Sequence, residues 1–373
     1  MKVLFACGGT AGHINPALAI AEELLNRMPD CKILFVGADR HLDKTLIPRA
    51  GFHVVNIKMS GVRRSLSIGA IKYNVEAFKK LISADFKAAK LIKRYKPDIV
   101  VGTGGYICYP VLRQAAKMKI PTIIHESNAI PGLTTKLLSS IVDKVLVSFP
   151  NQESLYKKPE KVVFTGTPVR AGFNLAVKNE VLHKANEKPL VLSFWGSLGA
   201  EKMNEVIAEV IKLNAENNFF DHIHAVGKKS GILELETGLK QLGISDLESL
   251  PNGIKIEEYI DDMPKVMAEA DLVICRGGGS TIAELMAMNK PAIIIPSPYV
   301  ANNEQERNAM QLEKAGGAII LNEKQCSGTK LHKLIISLFS DKDKLKNMSE
   351  NLISLSANNA TKTVADIIQS LSK

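Results

Sequence analysis

No apolar run in the sequence approaches the roughly 20 residues that a helix needs to cross a bilayer, so no membrane-spanning segment is expected. The apolar stretch at the start stops at Cys7 and gives way to glycine, far short of the h-region of a secretory leader. Cysteine is sparse. Cys7, Cys31, Cys108, Cys275 and Cys326 are scattered, form no CxxC pair and mostly lie in or beside apolar runs. That pattern excludes a disulfide framework and a zinc site, and it reads as reduced, mostly buried thiols in a cytosolic protein. Aromatic residues make up only 5%, and no RNP, KH, helix-turn-helix or zinc-finger signature is present. Nucleic acid is therefore not an expected partner. There is no low-complexity tract and no repeat beyond a shared fold pattern.

What the 373 residues do contain is a sustained alternation. Apolar runs with strand character stand at Ile33–Val36, Val54–Ile57, Ile99–Val101, Thr122–Ile124 and Val145–Val147, with helical patterns between them. They return at Leu190–Phe194, His222–Val226, Leu272–Cys275, Ala292–Ile295 and Ala318–Leu321. Continuous apolar strands separated by helices predict an α/β protein with parallel sheets covered on both faces. The length suits two cores better than one. Gly166, Thr167 and Pro168 punctuate 164–170 as a linker. The expected domains are 1–165 and 166–350. Leu331–Leu371 reads as amphipathic helices, and 351–373 is expected to pack back on the first domain.

Each half opens on a glycine-rich turn. Val3–Cys7 runs into Gly8-Gly9-Thr10-Ala11-Gly12-His13 and then a helix from Pro16. Leu190–Phe194 runs into Trp195-Gly196-Ser197-Leu198-Gly199-Ala200 and then a helix through Val206 and Val210. Glycine lets backbone N–H groups approach an anion, and a helix N-terminus adds a favourable dipole. Two such turns predict two doubly wound, Rossmann-like domains facing each other, with a phosphate-bearing donor and a phosphate-bearing acceptor held across one cleft. The first turn is spaced GGxxG rather than GxGxxG, which weakens a nicotinamide reading; Asp39 after the second strand keeps that reading open.

Charge separates the halves. The formal net charge is +10, yet residues 1–168 hold 25 basic and 12 acidic residues, and the remainder hold 23 and 26. The basic excess would attract a polyphosphate ligand or an anionic membrane. Lys58–Arg94 carries ten basic residues, Arg63 and Arg64 among them, against Glu76 and Asp85, interleaved with Leu66, Ile68, Ile71, Phe78, Leu81, Ile82 and Phe86. Basic charge beside exposed apolar residues gives reversible interfacial binding. This predicts a peripheral protein, although part of that apolar set is expected to be helix core.

Other polar clusters follow strands. Gly104, Gly105 and Tyr106 close one, and His125-Glu126-Ser127-Asn128 closes the next, on the same sheet edge as His13. His13 either packs the helix start or serves a site, and glycine and asparagine also suit plain turns. Arg276-Gly277-Gly278-Gly279-Ser280-Thr281 leads into a helix carrying Glu284, a carboxylate suited to a ribose diol. Asn302-Asn303-Glu304-Gln305 supplies amides and carboxylates suited to sugar hydroxyls.

These residues assemble into a resemblance. GGTAGHINPALAIAEEL from Gly8, KPDIVVGTGGY to Tyr106, HESNAIPG from His125 and GTPVR to Arg170 resemble the MurG family, glycosyltransferase family 28. GSLGA from Gly196, YIDDM from Tyr259, CRGGGSTIAE to Glu284 and PSPYVANNEQERNA from Pro296 extend the match to nearly the whole chain. The resemblance implies a GT-B fold, with an acceptor- and membrane-binding first domain and a UDP-N-acetylglucosamine-binding second. It implies transfer of N-acetylglucosamine to the 4-hydroxyl of undecaprenyl-pyrophosphoryl-MurNAc-pentapeptide, in peptidoglycan synthesis on the cytoplasmic face of the membrane, near the wall-building and division machinery. Tyr259, Ile260 and Met263 match donor contacts at and beside uracil, and Glu284 the ribose contact. Arg170, Ser197, Gly279, Ser280 and Thr281 match diphosphate contacts, and Glu304, Gln305 and Asn128 sugar contacts. Gly9, Thr10, Gly12, His13, Gly104, Gly105 and Tyr106 match the acceptor side. Trp195 and Leu198 stand where the family has glycine and glutamine.

The implied reaction is an inverting displacement at the anomeric carbon, with His13 as base or as an acceptor-diphosphate ligand. Thr10 and Tyr106 stand beside it in the catalytic set. The second half has no DxD pair at a strand end, and Asp261-Asp262 reads as structural, so neither metal nor cofactor is expected. The rivals are another GT-B enzyme using the same donor, either an epimerase or a lipid glycosyltransferase, and a non-catalytic sugar-nucleotide-binding scaffold.

Overall fold

The computed structural model describes residues 1–59, 68–173, 188–196, 199–227, 231–356 and 359–372. Ser197 and Leu198, and Arg63, Arg64 and Leu66 of the basic stretch, lie outside the described residues. The chain falls into two compact units, Met1–Arg170 with Ala357–Lys373, and Ala171–Ser356.

The first unit is built on seven parallel strands: β1 (Lys2–Cys7), β2 (Lys32–Gly37), β3 (Val54–Asn56), β4 (Ile99–Gly104), β5 (Thr122–Glu126), β6 (Lys144–Val147) and β7 (Val162–Phe164). Their order is β3-β2-β1-β4-β5-β6-β7. Side chains alternate across a strand, so β1 serves two layers. Val3, Phe5 and Cys7 pack with Ile14, Ala17 and Ile20 of α1 (Ala11–Arg27). Leu4 and Ala6 pack on the other face, over α3 (Ile68–Tyr95) and α4 (Cys108–Lys117). Between these helices in sequence comes α2 (His41–Arg49), and α5 (Leu133–Leu138) follows β5.

Helix α1 begins at Ala11, with Thr10 as an extended N-cap, and not at Pro16 as the sequence suggests. Pro16 lies inside it and has no N–H to give the Gly12 carbonyl. This earlier start places His13 in the first helical turn instead of in a loop.

The second unit has six parallel strands, β8 (Leu190–Phe194), β9 (Asp221–Ala225), β10 (Ile254–Glu257), β11 (Leu272–Cys275), β12 (Ala292–Ile294) and β13 (Ala318–Ile320), in the order β10-β9-β8-β11-β12-β13. Its described helices are α6 (Glu201–Asn217), α7 (Gly231–Gln241), α8 (Met263–Glu269), α9 (Gly279–Ala287), α10 (Glu304–Lys314), α11 (Gly328–Ser340) and α12 (Lys342–Ile353). Strands β7 and β10 fall outside the apolar runs singled out in the sequence. Both are sheet edges, and β10 exposes Lys255 and Glu257. After α12 the chain returns to the first unit as α13 (Ala360–Leu371). There Val364, Ala365 and Ile368 join the α1 core, and Arg27 binds Asp366 at 2.5 Å.

Candidate active site

In both sheets the winding direction reverses once, between β1 and β4 and between β8 and β11. Open α/β sheets bind ligands beyond the carboxyl ends of the strands at such a reversal. The first reversal carries Gly8, Gly9 and Thr10 after β1, and Gly105 and Tyr106 after β4. The two loops touch. A Cβ at Gly105 would stand 2.4 Å from the Gly8 carbonyl oxygen, and one at Gly104 would stand 2.3 Å from the His13 ring. Both glycines also have left-handed backbone, φ +89° and +124°, so a side chain is excluded twice over.

The half-buried His13 ring is therefore wedged. Its Nδ1 lies 3.0 Å from the Gly8 carbonyl oxygen. A carbonyl only accepts, so Nδ1 carries a proton, and in the neutral ring Nε2 keeps its lone pair. Thr103 Oγ1 donates to the His13 carbonyl at 2.6 Å and holds the first turn of α1, which also contains Gly12. Thr10 and Tyr106 are exposed. Asn128, after β5, is held by Glu126, whose Oε1 accepts its backbone and side-chain N–H groups at 3.1 and 3.0 Å. Glu126 Oε2 accepts from Gly132 N and Thr135 Oγ1 at 3.0 and 2.6 Å. His125 is fully inside the sheet and donates to the Gly166 carbonyl. Burial lowers its pKa, against the pull of that carbonyl and of the Glu126 charge. Arg170 ends the first unit, and its charge partly offsets the burial that raises the Glu22 carboxyl on α1.

The second reversal is fastened differently. Trp195, after β8, is buried, and the Arg276 guanidinium lies 5.5 Å from its ring centroid. Arg276 donates to Glu323 Oε2 at 2.5 Å and to the Ile295 carbonyl at 2.9 Å. Below, Ser193 Oγ bonds both His222 Nε2 and His224 Nδ1, at 2.8 and 2.7 Å. Burial pushes both imidazoles down to about 3.

Beyond Arg276, helix α9 starts at Gly279 and carries Ser280, Thr281 and Glu284 within its first six residues. Ser280 Oγ is buried with no protein partner among the described residues. Burial, with the Glu284 charge adding to it, raises the Cys275 thiol. Glu304 and Gln305 open α10. Gln305 Oε1 accepts from Ser297 N at 2.8 Å, which leaves its amide N–H groups as the donating end. Gly277 lies flat against the Gln305 backbone, where a Cβ would meet its carbonyl oxygen at 2.2 Å. Asn308 locks that contact by donating to the Gly277 carbonyl at 3.0 Å. Exposed Tyr259 and buried Ile260 follow β10, two strands from β8, and Met263 begins α8. The N-cap of α8 is Asp262, accepting from Lys265 N.

The structure thus gathers Gly9, Thr10, Gly12, His13, Gly104, Gly105 and Tyr106 at one reversal. It gathers Gly279, Ser280, Thr281, Glu284, Glu304 and Gln305 at the other. Sequence reasoning gave no role to Asp43, Thr103, Arg276 or Asn308. The last three stand inside the motifs quoted above, whereas Asp43 has no local signal.

The glycosyltransferase family 28 N-terminal domain matches residues 3–147, and the family 28 C-terminal domain matches residues 190–371. The UDP-N-acetylglucosamine–N-acetylmuramyl-(pentapeptide) pyrophosphoryl-undecaprenol N-acetylglucosamine transferase of Acetivibrio thermocellus is 44% identical over 100% of this chain and 99% of its own. Among solved structures, Acinetobacter baumannii MurG aligns with a TM-score of 0.74 at 26% identity, covering 99% of both chains. UDP-GlcNAc 2-epimerase from Neisseria meningitidis, covering 99% of this chain and 100% of its own, aligns with a TM-score of 0.67 at 12% identity and shares the fold alone. With the GT-B fold in place and both halves matched, the chain belongs to glycosyltransferase family 28, with the MurG transferases.

Proposed function

We propose that the protein transfers N-acetylglucosamine from UDP-N-acetylglucosamine to the 4-hydroxyl of the muramyl sugar of undecaprenyl-pyrophosphoryl-MurNAc-pentapeptide, with inversion. The observation that carries this reading is the full-length match to a transferase of that name. The site geometry supplies the chemistry. In the first unit, His13 Nε2 takes the proton of the attacking hydroxyl, because Nδ1 is committed to the Gly8 carbonyl. The Gly9–Gly12 segment, at the start of α1, receives the acceptor diphosphate. In the second unit, the start of α9 and the Ser280 hydroxyl stabilise the charge that grows on the departing UDP. Glu284 accepts from the ribose diol, and Gln305 donates to the sugar.

The acceptor is lipid-borne, and α3 supports a membrane-facing role at the cytoplasmic leaflet. Helix α3 buries small residues, Ala77, Ala84 and Ala88, with Ile92, and exposes large ones. Val75, Phe78, Ile82 and Phe86 are 54%, 62%, 46% and 74% exposed and follow a helical spacing. Lys79, Lys87, Lys90 and Lys93 stand beside them. Near an anionic surface each cation contributes about 1 kcal/mol. Among the described residues no helix is long and apolar enough to cross a membrane.

The test supplies UDP-N-acetylglucosamine with the lipid acceptor and measures UDP release. Wild-type protein turns over, and His13→Ala lowers kcat by about 100-fold or more. No acceptor-dependent release from wild type overturns the reading, and near-normal turnover of His13→Ala removes His13 as base.

A further inference from the structure

We propose that Asp43 is the positioning residue of the acceptor half-site, orienting His13 through a single peptide group. The inference rests on the role given to His13 above. Asp43 lies in the first turn of α2, far in sequence from the glycine turn, and is 0% exposed. Its Oδ1 accepts the Gly9 N–H at 2.8 Å, and its Oδ2 accepts the N–H groups of Ala38 and Arg40 at 2.7 and 3.2 Å. Only the Arg40 bond belongs to capping of α2. The other two reach out of the helix and tie the turn after β2 to the turn after β1.

The Gly9 N–H and the Gly8 C=O belong to one peptide unit. Asp43 grips that unit at its nitrogen, and His13 Nδ1 donates to it at its oxygen. In a trans peptide these two dipoles are aligned. Carboxylate, peptide and imidazole therefore form one hydrogen-bonded line, in which each bond polarises the next. The arrangement performs the task of the carboxylate in a carboxylate–histidine pair, which is to fix the tautomer and the ring direction, with a peptide interposed. The fit leaves no slack. A Cβ on Gly8 would sit 2.9 Å from Asp43 Oδ2, and one on Gly105 would strike the Gly8 carbonyl.

The experiment compares wild type, Asp43→Asn and Asp43→Glu, each labelled with 15N-histidine, using His13→Ala to assign the His13 signals. In Asp43→Asn the carboxamide cannot accept all three N–H groups, and its NH2 faces one of them. The expected result is a kcat about 10–100-fold lower, with the Kd for UDP-N-acetylglucosamine within twofold of wild type. The 15N spectrum should change from one Nδ1–H tautomer to a mixture. Asp43→Glu, which keeps the carboxylate, should recover part of kcat and the single tautomer. A kcat within threefold of wild type, or an unchanged tautomer in Asp43→Asn, overturns the proposal. So does a joint loss of fold and donor binding in both variants, which would make Asp43 merely structural. If wild type releases no UDP, the functional reading fails while the tautomer comparison still decides the role of Asp43.

Discussion

The two reversal points share one topology and are secured with a different emphasis. In the first unit, directional hydrogen bonds do it: Asp43 and His13 on one peptide, Thr103 on the His13 carbonyl, and glycines pressed backbone to backbone. In the second, bulk and charge are added to such bonds: Trp195 packs against Arg276, Arg276 pairs with Glu323, and two histidines share Ser193 beneath, while Asn308 holds Gly277 against the Gln305 backbone. A parallel sheet decides where the loops emerge. It does not decide how rigid they are, and each unit solves that from its own side chains.

Acid should separate the two units most. His222 and His224 sit at about 3 in the folded protein against an ordinary 6.5. The folded pKa lies below the unfolded one, so their stabilising contribution is complete above about pH 6.5 and is lost as pH falls toward 3. His222 and His224 share Ser193 and each lowers the other's affinity for a proton, so they titrate as a pair, and the loss is several kcal/mol for the pair. In the first unit the fully buried histidine is His125, and a carbonyl and a carboxylate oppose its downward shift. Acid titration followed by Trp195, the only tryptophan, should therefore show the second unit unfolding at a higher pH than the first, with far-UV circular dichroism reporting both. His224→Gln should move that transition to lower pH. An unmoved transition would break the contrast.

Glu323→Ala should follow in size. It leaves Arg276 unpaired at 12% side-chain exposure, and breaking a buried pair costs about 3–5 kcal/mol. Urea unfolding should show the loss in the second unit, together with weaker UDP binding, while the first unit is unaffected. The smallest effect on the fold is expected from Phe78→Ser with Phe86→Ser. Both side chains face solvent, so stability should stay within about 0.5 kcal/mol per site. Binding to anionic vesicles should nevertheless fall about tenfold, and sedimentation with such vesicles checks it.

The parts of this molecule legible in its sequence are those whose signal is local. Continuous apolar runs marked the buried strands, because a parallel sheet is covered on both faces. Strand β10 escaped because Ile254, Lys255, Ile256 and Glu257 alternate, whereas β7, Val162–Phe164, carries the continuous apolar signature and was simply not singled out. Helix α1 starts at Ala11, five residues before Pro16, so the proline does not mark its beginning. At the sites, glycines and their neighbours were readable as turns that must approach something closely. Asp43 was not, because nothing in His41-Leu42-Asp43-Lys44 distinguishes a buried anchor from an ordinary helix carboxylate until β2 lies beside β1. Trp195 stands in the sequence only as a departure from the family's glycine, and its packing on Arg276 depends on a pairing of β8 with β11 that no short window contains.

Helix α13 carries a consequence for how the protein is made. Its Val364, Ala365 and Ile368 complete the layer over α1, although the rest of that unit ends at Arg170. During synthesis the amino-terminal lobe must wait, its α1 surface uncovered, while the entire intervening lobe leaves the ribosome and folds. The order of maturation is thus inverted relative to the order of translation: the later-made lobe can finish first, and the earlier one closes only when its final helix arrives.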